Sequence, residues 1–182
     1  MLKRKIVMLR LMLARNGFRR AAYLKKISYF RRQGDHCFFI PYNYGTEPHL
    51  LSFGDNVFVA SSVRFVSHDL MAKMFWYMEP ECKHTSRVGS IEVGSNVFIG
   101  SGATILYDVR IGDRVIVAAG TLVNRDLPEG GIYAGVPARR IGNFDDYLEK
   151  SRRYSEAAPW TEGDPFEVRK AAQLSWLYPE EK

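Results

Sequence analysis

Three properties of this 182-residue chain predict a mainly β solenoid of short parallel strands with a helical cap at each end. From Ile91 to Asp126 the sequence repeats every six residues, as IEVGSN, VFIGSG, ATILYD, VRIGDR, VIVAAG and TLVNRD, and from Leu51 to His68 it reads LSFGDN, VFVASS, VRFVSH in the same register. The third residue of all nine hexads is apolar, from Phe53 through Val123, and the first is aliphatic in seven, Ala103 and Thr121 being the exceptions. Residues one and three therefore share one face of a strand. A small residue (Gly54, Ala60, Gly94, Gly100, Gly112, Ala118) often follows at the fourth place, where the chain bends. A strand this short cannot bury its apolar face alone, so successive units must wind and stack with their strands paired in parallel.

Residues 1–33 read as one or two helices broken near Asn16-Gly17, where a turn is cheap. From Met1 to Gly34 the chain holds eleven Lys and Arg and no acid, which leaves fifteen basic against twenty acidic side chains in the remainder of a chain of net charge +6. Solenoid ends expose unpaired strand edges and apolar core, so this segment is expected to form the first cap. Its charge also suits a peripheral contact with an anionic membrane, which attracts polybasic segments by roughly 1 kcal/mol per Lys or Arg near the surface. The apolar run from Ile6 to Ala14 is too short to span a bilayer and is interrupted by Arg10. With no A-x-A site after it, no signal peptide is expected, and the protein is placed in the cytoplasm.

The solenoid is expected over residues 34–142, with an insertion at 69–90 where the period breaks. The inserted segment belongs to neither register and should leave the coil as an external loop. It carries Met71, Met74, Phe75, Trp76, Tyr77 and Met78, too apolar a set for a solvated excursion. Packing on a second subunit or forming a wall of an acceptor pocket are the two roles that suit it. Residues 143–182 read as a helix (FDDYLEKSRRY, Phe144 to Tyr154) serving as the second cap, then a Pro-broken tail with Trp160 and Trp176. The two cysteines, Cys37 and Cys82, form no CxxC pair and read as inert thiols of a reducing compartment.

The hexads, the closing AGVPARRIG (Ala134 to Gly142), GTEP at Gly45 to Pro48 and FVSHD at Phe65 to Asp69 together resemble the hexapeptide-repeat acyltransferase family. Within it the likeness is to sugar O-acetyltransferases of surface polysaccharide synthesis and to maltose, galactoside and streptogramin acetyltransferases. The resemblance covers roughly residues 34–147 and implies a left-handed parallel β-helix. Handedness comes from the family alone, because strand sterics favour right-handed crossovers.

The resemblance implies transfer of an acetyl group from acetyl-CoA, as cosubstrate, to a sugar hydroxyl without a metal. His68, last in its hexad and directly before the insertion, matches the family's catalytic histidine. The chemistry needs one base, since the attacking hydroxyl must lose its proton, and an imidazole can do this near neutral pH and then protonate the departing thiolate. Asp69, Glu79, Glu81 and Glu92 are the acids expected to supply its orienting partner. Ser101, in FIGSG, matches the serine beside the thioester and is assigned to catalysis and cofactor binding, with the oxyanion held by backbone N–H groups or a hydroxyl. Ala119 is expected along the pantetheine arm, and Asn124, Arg125 and Arg139 at the phosphates and adenine. Arg140 joins them on charge alone, as a planar fork suited to phosphate. Ala118 stands where a Gly is frequent, and Gly142 where some relatives place a basic residue.

No nucleophile elbow, Walker A or dinucleotide fingerprint is present, so direct attack in a ternary complex is expected. The implied groove lies between subunits of a homotrimer, with a small-molecule or lipid-linked sugar as acceptor. An antibiotic hydroxyl or the amine of an amino sugar would use the same machinery. A zinc-dependent carbonic anhydrase on the same coil would need three gathered histidines, and His36, His49, His68 and His84 lack the close pair on adjacent hexads. A non-enzymatic scaffold would not need His68, the insertion and the closing segment together. The basic arm has no base-reading motif, so nucleic acid is not expected as a partner.

Overall fold

A computed structural model describes residues 2–179, with side chains from Lys5 onward, so the outermost positions of the expected terminal segments, Met1 and 180–182, lie outside it. Two helices open the chain, α1 (Leu2–Leu13) and α2 (Gly17–Lys26), followed by β1 (Arg32–Gln33), β2 (Phe38–Phe39) and a 3₁₀ turn at Pro48–Leu50. The first hexads form β3 (Leu51–Phe53), β4 (Val57–Val59) and β5 (Arg64–Val66), and the insertion carries α3 (Met71–Met78). The later hexads form β6 (Ile91–Val93), β7 (Val97–Ile99), β8 (Thr104–Leu106), β9 (Val109–Ile111), β10 (Val115–Val117) and β11 (Leu122–Val123). After them come β12 (Gly131–Ala134), β13 (Arg139–Asn143), α4 (Phe144–Ala157) and α5 (Phe166–Leu177).

Successive strands visit three sheets in rotation. The first sheet is β1-β3-β6-β9, the second runs β2-β4-β7-β10-β12 with β13 at its edge, and the third is β5-β8-β11. Among the described residues these strands all pair in parallel except β12 with β13. Ile91 pairs with Val109, three hexads further along, whereas Leu51 pairs with Ile91, on the far side of the insertion. The segment at 69–90 is thus looped out whole, and the strand register is undisturbed by it. Hexad positions one and three point inward: Leu51, Phe53, Val57, Val59, Ile99 and Ile105 are fully buried. Burial of each such side chain contributes about 1.5–3 kcal/mol.

The small fourth residue has a steric cause. A Cβ on Gly54 would lie 2.7 Å from the carbonyl carbon and oxygen of Gly94 in the neighbouring coil, and backbone cannot move aside as a side chain can. Gly54→Ala is expected to lower the free energy of unfolding by about 1–3 kcal/mol, the usual cost of overpacking, as read by chemical denaturation. At the same corner Asn56 and Asn96 take positive φ, 55° and 57°, and their side chains bond each other at 2.8 Å. Asn accepts this left-handed conformation more readily than other residues with a Cβ.

The outer faces of the first two sheets differ. Residues Arg32, Ser52, Glu92 and Arg110 lie in register on the first, where Glu92 pairs with Arg110 at 3.1 Å and Arg31 at 3.7 Å. On the second the corresponding column is Phe38, Phe58, Phe98, Ile116 and Ile132. Phe18 of α2 covers Phe38 and Phe58 at ring distances of 4.9 and 5.9 Å, while Phe98 stays 45% exposed.

The helices α1 and α2 break at Ala14 to Asn16, where Asn16 caps α2 by accepting from the Arg19 N–H at 3.0 Å. Leu11 and Leu24 are fully buried in the same core cluster as Phe30, Phe39 and Phe53. The buried Arg20 donates from Nε to the Leu11 carbonyl at 2.9 Å and from Nη1 to the Ile40 carbonyl at 2.8 Å, tying the end of α1 to the chain beyond β2. A cation at the open carbonyls of a helix C-terminus is favourably placed.

Two segments are more ordered than expected. The loop at 69–90 contains α3, whose MAKMFWYM has no Gly, Pro or β-branched residue and ends before Pro80. The tail contains α5, which begins directly after Pro165. The chain divides into compact units Met1–Phe144 and Asp145–Lys182. Within the second, Trp176 lies 4.7 Å from Trp160 and 5.3 Å from Tyr154, ring to ring. Neither α4 nor α5 contains a buried residue.

Candidate active site

His68 follows β5 at the corner between the third and first sheets, where the insertion leaves the coil. Its backbone forms an antiparallel bridge with Val88, flanked by bonds from Gly89 N–H to the Ser67 carbonyl at 2.9 Å and from Asp69 N–H to the Arg87 carbonyl at 3.1 Å. The two ends of the insertion are thus clasped around the histidine.

The imidazole is held by Glu47. Nδ1 lies 2.8 Å from Glu47 Oε2 and 3.3 Å from Thr46 Oγ1. An ionised carboxylate only accepts, so in the neutral ring Nδ1 carries the proton and the lone pair falls on Nε2. Among the described residues Nε2 makes no hydrogen bond. Glu47 also accepts from Ser67 Oγ and Thr46 Oγ1, each at 2.7 Å. Partial burial pushes its carboxyl pKa up, but the Ser67, Thr46 and His68 donors outweigh this and hold it below the ordinary glutamate range. Gly45 permits the approach: at φ +82° it lies against the Phe65 carbonyl, 3.1 Å from where its Cβ would stand.

A depressed folded-state pKa contributes stability that is present above the unfolded value and lost as pH falls through the folded one. Glu47→Gln should therefore melt below the parent at neutral pH, and the gap should close on acidification below the ordinary glutamate range. Thermal melts at a series of pH values check this; a gap that persists in acid would mean that ionised Glu47 is not the stabilising form.

Glu47 replaces the four acids expected to orient the ring. Asp69 accepts from Tyr107 Oη at 3.3 Å and from the Met71 N–H at 3.2 Å, and Glu79 lies 3.6 Å from His84 Nε2. Glu92 belongs to the charged ladder of the first sheet, and Glu81 is exposed in the insertion. The physical reason is that the partner lies well upstream, on a segment running beside the first coil rather than on a neighbouring hexad. The GTEP motif was the available signal.

Ser101 lies on a different corner, between the second and third sheets. Ser61 Oγ donates to Ser101 Oγ at 3.2 Å, and Gly120 N–H donates to the Ser101 carbonyl at 2.8 Å, so Ser61, Ser101 and Ala119 form one exposed column. The strands of the third sheet separate this column from His68, a distance on the order of 15–20 Å at strand rise. Asn124 and Arg125 follow β11 on the corner that His68 occupies. Arg139 donates to the adjacent Ala138 carbonyl at 3.0 Å. Arg140 is more engaged, donating to Asn143 Oδ1 at 2.6 Å and to the Gly130 carbonyl at 3.2 Å. Within one chain the expected residues thus fall on two edges. Among the described residues the one group able to hold a metal ion is Glu79, Cys82 and His84, with donor atoms within 4.8 Å of one another, and it includes a single histidine.

A coil of parallel hexad strands with a carboxylate-held histidine at the root of an insertion defines a class, and comparison with known proteins gives it a family. The model described as bacterial transferase hexapeptide (six repeats) matches residues 90–125. Protein CapG of Staphylococcus aureus is 37% identical over 120 residues, covering 64% of this chain and 68% of that protein. Galactoside O-acetyltransferase of Escherichia coli (strain K12) is 33% identical over 106 residues, 55% of this chain and 47% of that one. The chain belongs to the bacterial hexapeptide transferase family. It spans 68% of the length of the first of these curated relatives and 47% of the second. Among solved structures, a galactoside acetyltransferase in complex with coenzyme A superposes with a TM-score of 0.58 at 20% identity, over 81% of this chain and 82% of that one, a likeness of fold.

Proposed function

We propose that the chain is an acetyl-CoA-dependent O-acetyltransferase acting on a sugar hydroxyl, in a homotrimer of left-handed parallel β-helices. The observation that carries the reading is the Glu47–His68 pair, 2.8 Å apart, with Nε2 unbonded at the root of the insertion. The match to a galactoside O-acetyltransferase supports the sugar. Surface polysaccharide synthesis is the setting we favour from the motifs.

In this reading His68 Nε2 takes the proton of the acceptor hydroxyl as its oxygen attacks the thioester carbonyl. Glu47 stabilises the imidazolium by charge and holds the ring without taking the proton itself. The oxyanion is met by Ser101 Oγ or backbone N–H groups of its column. When the C–S bond breaks, the imidazolium returns the proton to the thiolate, giving the acetyl ester and free coenzyme A thiol.

The separation of His68 from Ser101 supports an assembly in which the histidine edge of one copy faces the Ser101–Ala119 column of the next. Asn124 and Arg125 then belong to the histidine side of the groove, and Arg139 and Arg140 to the other copy. The apolar column of exposed Phe98 and half-buried Ile116 and Ile132 supports burial against a further copy. We assign residues 1–33 as the N-terminal cap, 34–142 as the catalytic coil with its insertion at 69–90, and 143–182 as the C-terminal cap and tail, in a cytoplasmic protein. No described helix is long and apolar enough to cross a membrane.

The test is release of free thiol from acetyl-CoA across a panel of sugars and nucleotide-sugars, with His68→Ala alongside. Acceptor-dependent release that vanishes in the variant supports the reading. No release with any acceptor, or full release by the variant, overturns it.

A further inference from the structure

The helix α1 has two apolar sides. Val7 and Leu11 enter the core, at 9% and 0% exposure. With 100° between successive residues, Ile6, Leu9 and Leu13 fall on the side of the helix opposite them. That outer side is bare: Ile6, Leu9 and Leu13 are 47%, 58% and 75% exposed. A helix that only capped the coil would carry polar residues there. Lys5 and Arg10 flank the strip, and both are exposed.

We infer that this outer face of α1 docks on an anionic lipid surface, lying in the headgroup plane with Ile6, Leu9 and Leu13 inserted and the flanking cations at the phosphates. Charge decides between lipid and a second copy. The stretch from Met1 to Gly34 contains eleven Lys and Arg and no acid, so two such faces brought together would repel, while an anionic bilayer answers both the charge and the apolar strip. Capping and docking use opposite sides of one helix and do not compete.

The placement has a consequence for the acceptor, which rests on the transferase reading above. The helix α2 packs on β2, the end strand of the second sheet, and β2 pairs with β4 of the coil that also contains β5 and leads into His68. With coils about 4.8 Å apart, the histidine stands only a few coil spacings from the helical end. A docked α1 would hold it within reach of a sugar carried on a lipid.

The test is flotation of the full chain at physiological salt with vesicles of phosphatidylcholine alone, and with an equal mixture of phosphatidylcholine and phosphatidylglycerol. The protein is expected to float with the mixed vesicles and to stay behind with the neutral ones. Leu9→Glu combined with Leu13→Glu should reduce lipid-bound protein about tenfold or more, and Lys5→Glu combined with Arg10→Glu should do the same. Circular dichroism and thiol release with a water-soluble acceptor should be unchanged in both. Failure to float with anionic vesicles, or flotation indifferent to the Leu9 and Leu13 changes, overturns the docking. So does a loss of oligomer mass in the leucine variant without vesicles, since the face would then join copies. An absence of thiol release in the parent, with flotation intact, sinks the transferase reading and leaves docking standing.

Discussion

His68→Ala is expected to lower turnover with a sugar acceptor by about 10²–10⁴-fold, the usual contribution of a positioned general base. Binding of acetyl-CoA should survive, because the proposed thioester-binding column of Ser101 and Ala119 lies on another edge of the coil. The fold should survive as well: the clasp at the root of the insertion is built from the backbones of Ser67 to Asp69 and Arg87 to Gly89, which the substitution leaves in place. The loss should therefore appear in kcat, with circular dichroism near the parent and a melting point at neutral pH between those of the parent and Glu47→Gln, since Ser67 and Thr46 still donate to Glu47. Glu47→Gln should fall in the same direction by a smaller factor, and should add little to His68→Ala, since Glu47 acts through the imidazole. Steady-state thiol release by the two single variants and the double variant checks this. Additive losses would assign Glu47 a role independent of the ring, and an undiminished His68→Ala would assign the base elsewhere.

The architecture was readable because a hexad has few options. Apolar residues at places one and three specify a two-residue strand period, and the Gly at place four answers a carbonyl under 3 Å away in the next coil. Both constraints recur in each turn, so period alone predicts parallel stacking and the insertion at 69–90. Handedness was not readable, because no local residue choice distinguishes a left-turning from a right-turning coil. The helix α3 was hidden by its context, an apolar octet within an insertion, although its composition suits a helix. The helix α5 was hidden by Pro165, which reads as a breaker yet stands directly before the first turn, where a missing N–H costs little.

For the site, the division falls between local and distant information. His68 announces itself by ending the last hexad before the break. Its partner does not, because Glu47 reaches it from outside the repeat, and hexad spacing carries no information about a segment that runs beside it. Asp69, the acid nearest in sequence, is drawn off by Tyr107 and by the backbone of α3. Ser67, a residue 1% exposed, donates its hydroxyl to the same carboxylate, so the GTEP and FVSH segments form one hydrogen-bonded unit joining residues 46–47 to 67–68. A short motif with Gly at positive φ, a carboxylate and a Pro that starts a turn was the one signal available for that long-range contact.

The separation of His68 from the Ser101–Ala119 column gives the second large expected effect. In the proposed homotrimer each site takes its histidine from one copy and its thioester-binding edge from the next, so two different inactive chains should restore one another. His68→Ala removes the base and keeps the column. Ala119→Trp keeps the base and fills the exposed column beside Ser101. Each variant alone should be inactive as a homotrimer. Co-expressed with two tags and purified over both, every mixed trimer has a single junction pairing an intact histidine with an intact column, whichever chain is in excess. Thiol release should then recover to about a third of the parent rate per trimer. A site completed within one chain would gain nothing from mixing, because every chain in the sample lacks one half of it. Mixed trimers without activity, while parent trimers carrying the same two tags keep theirs, would place the reaction inside the single coil. They would also remove the reason for the assembly, since the gap of roughly 15–20 Å between the two edges would then have to be bridged by a movement of the insertion rather than by a neighbour.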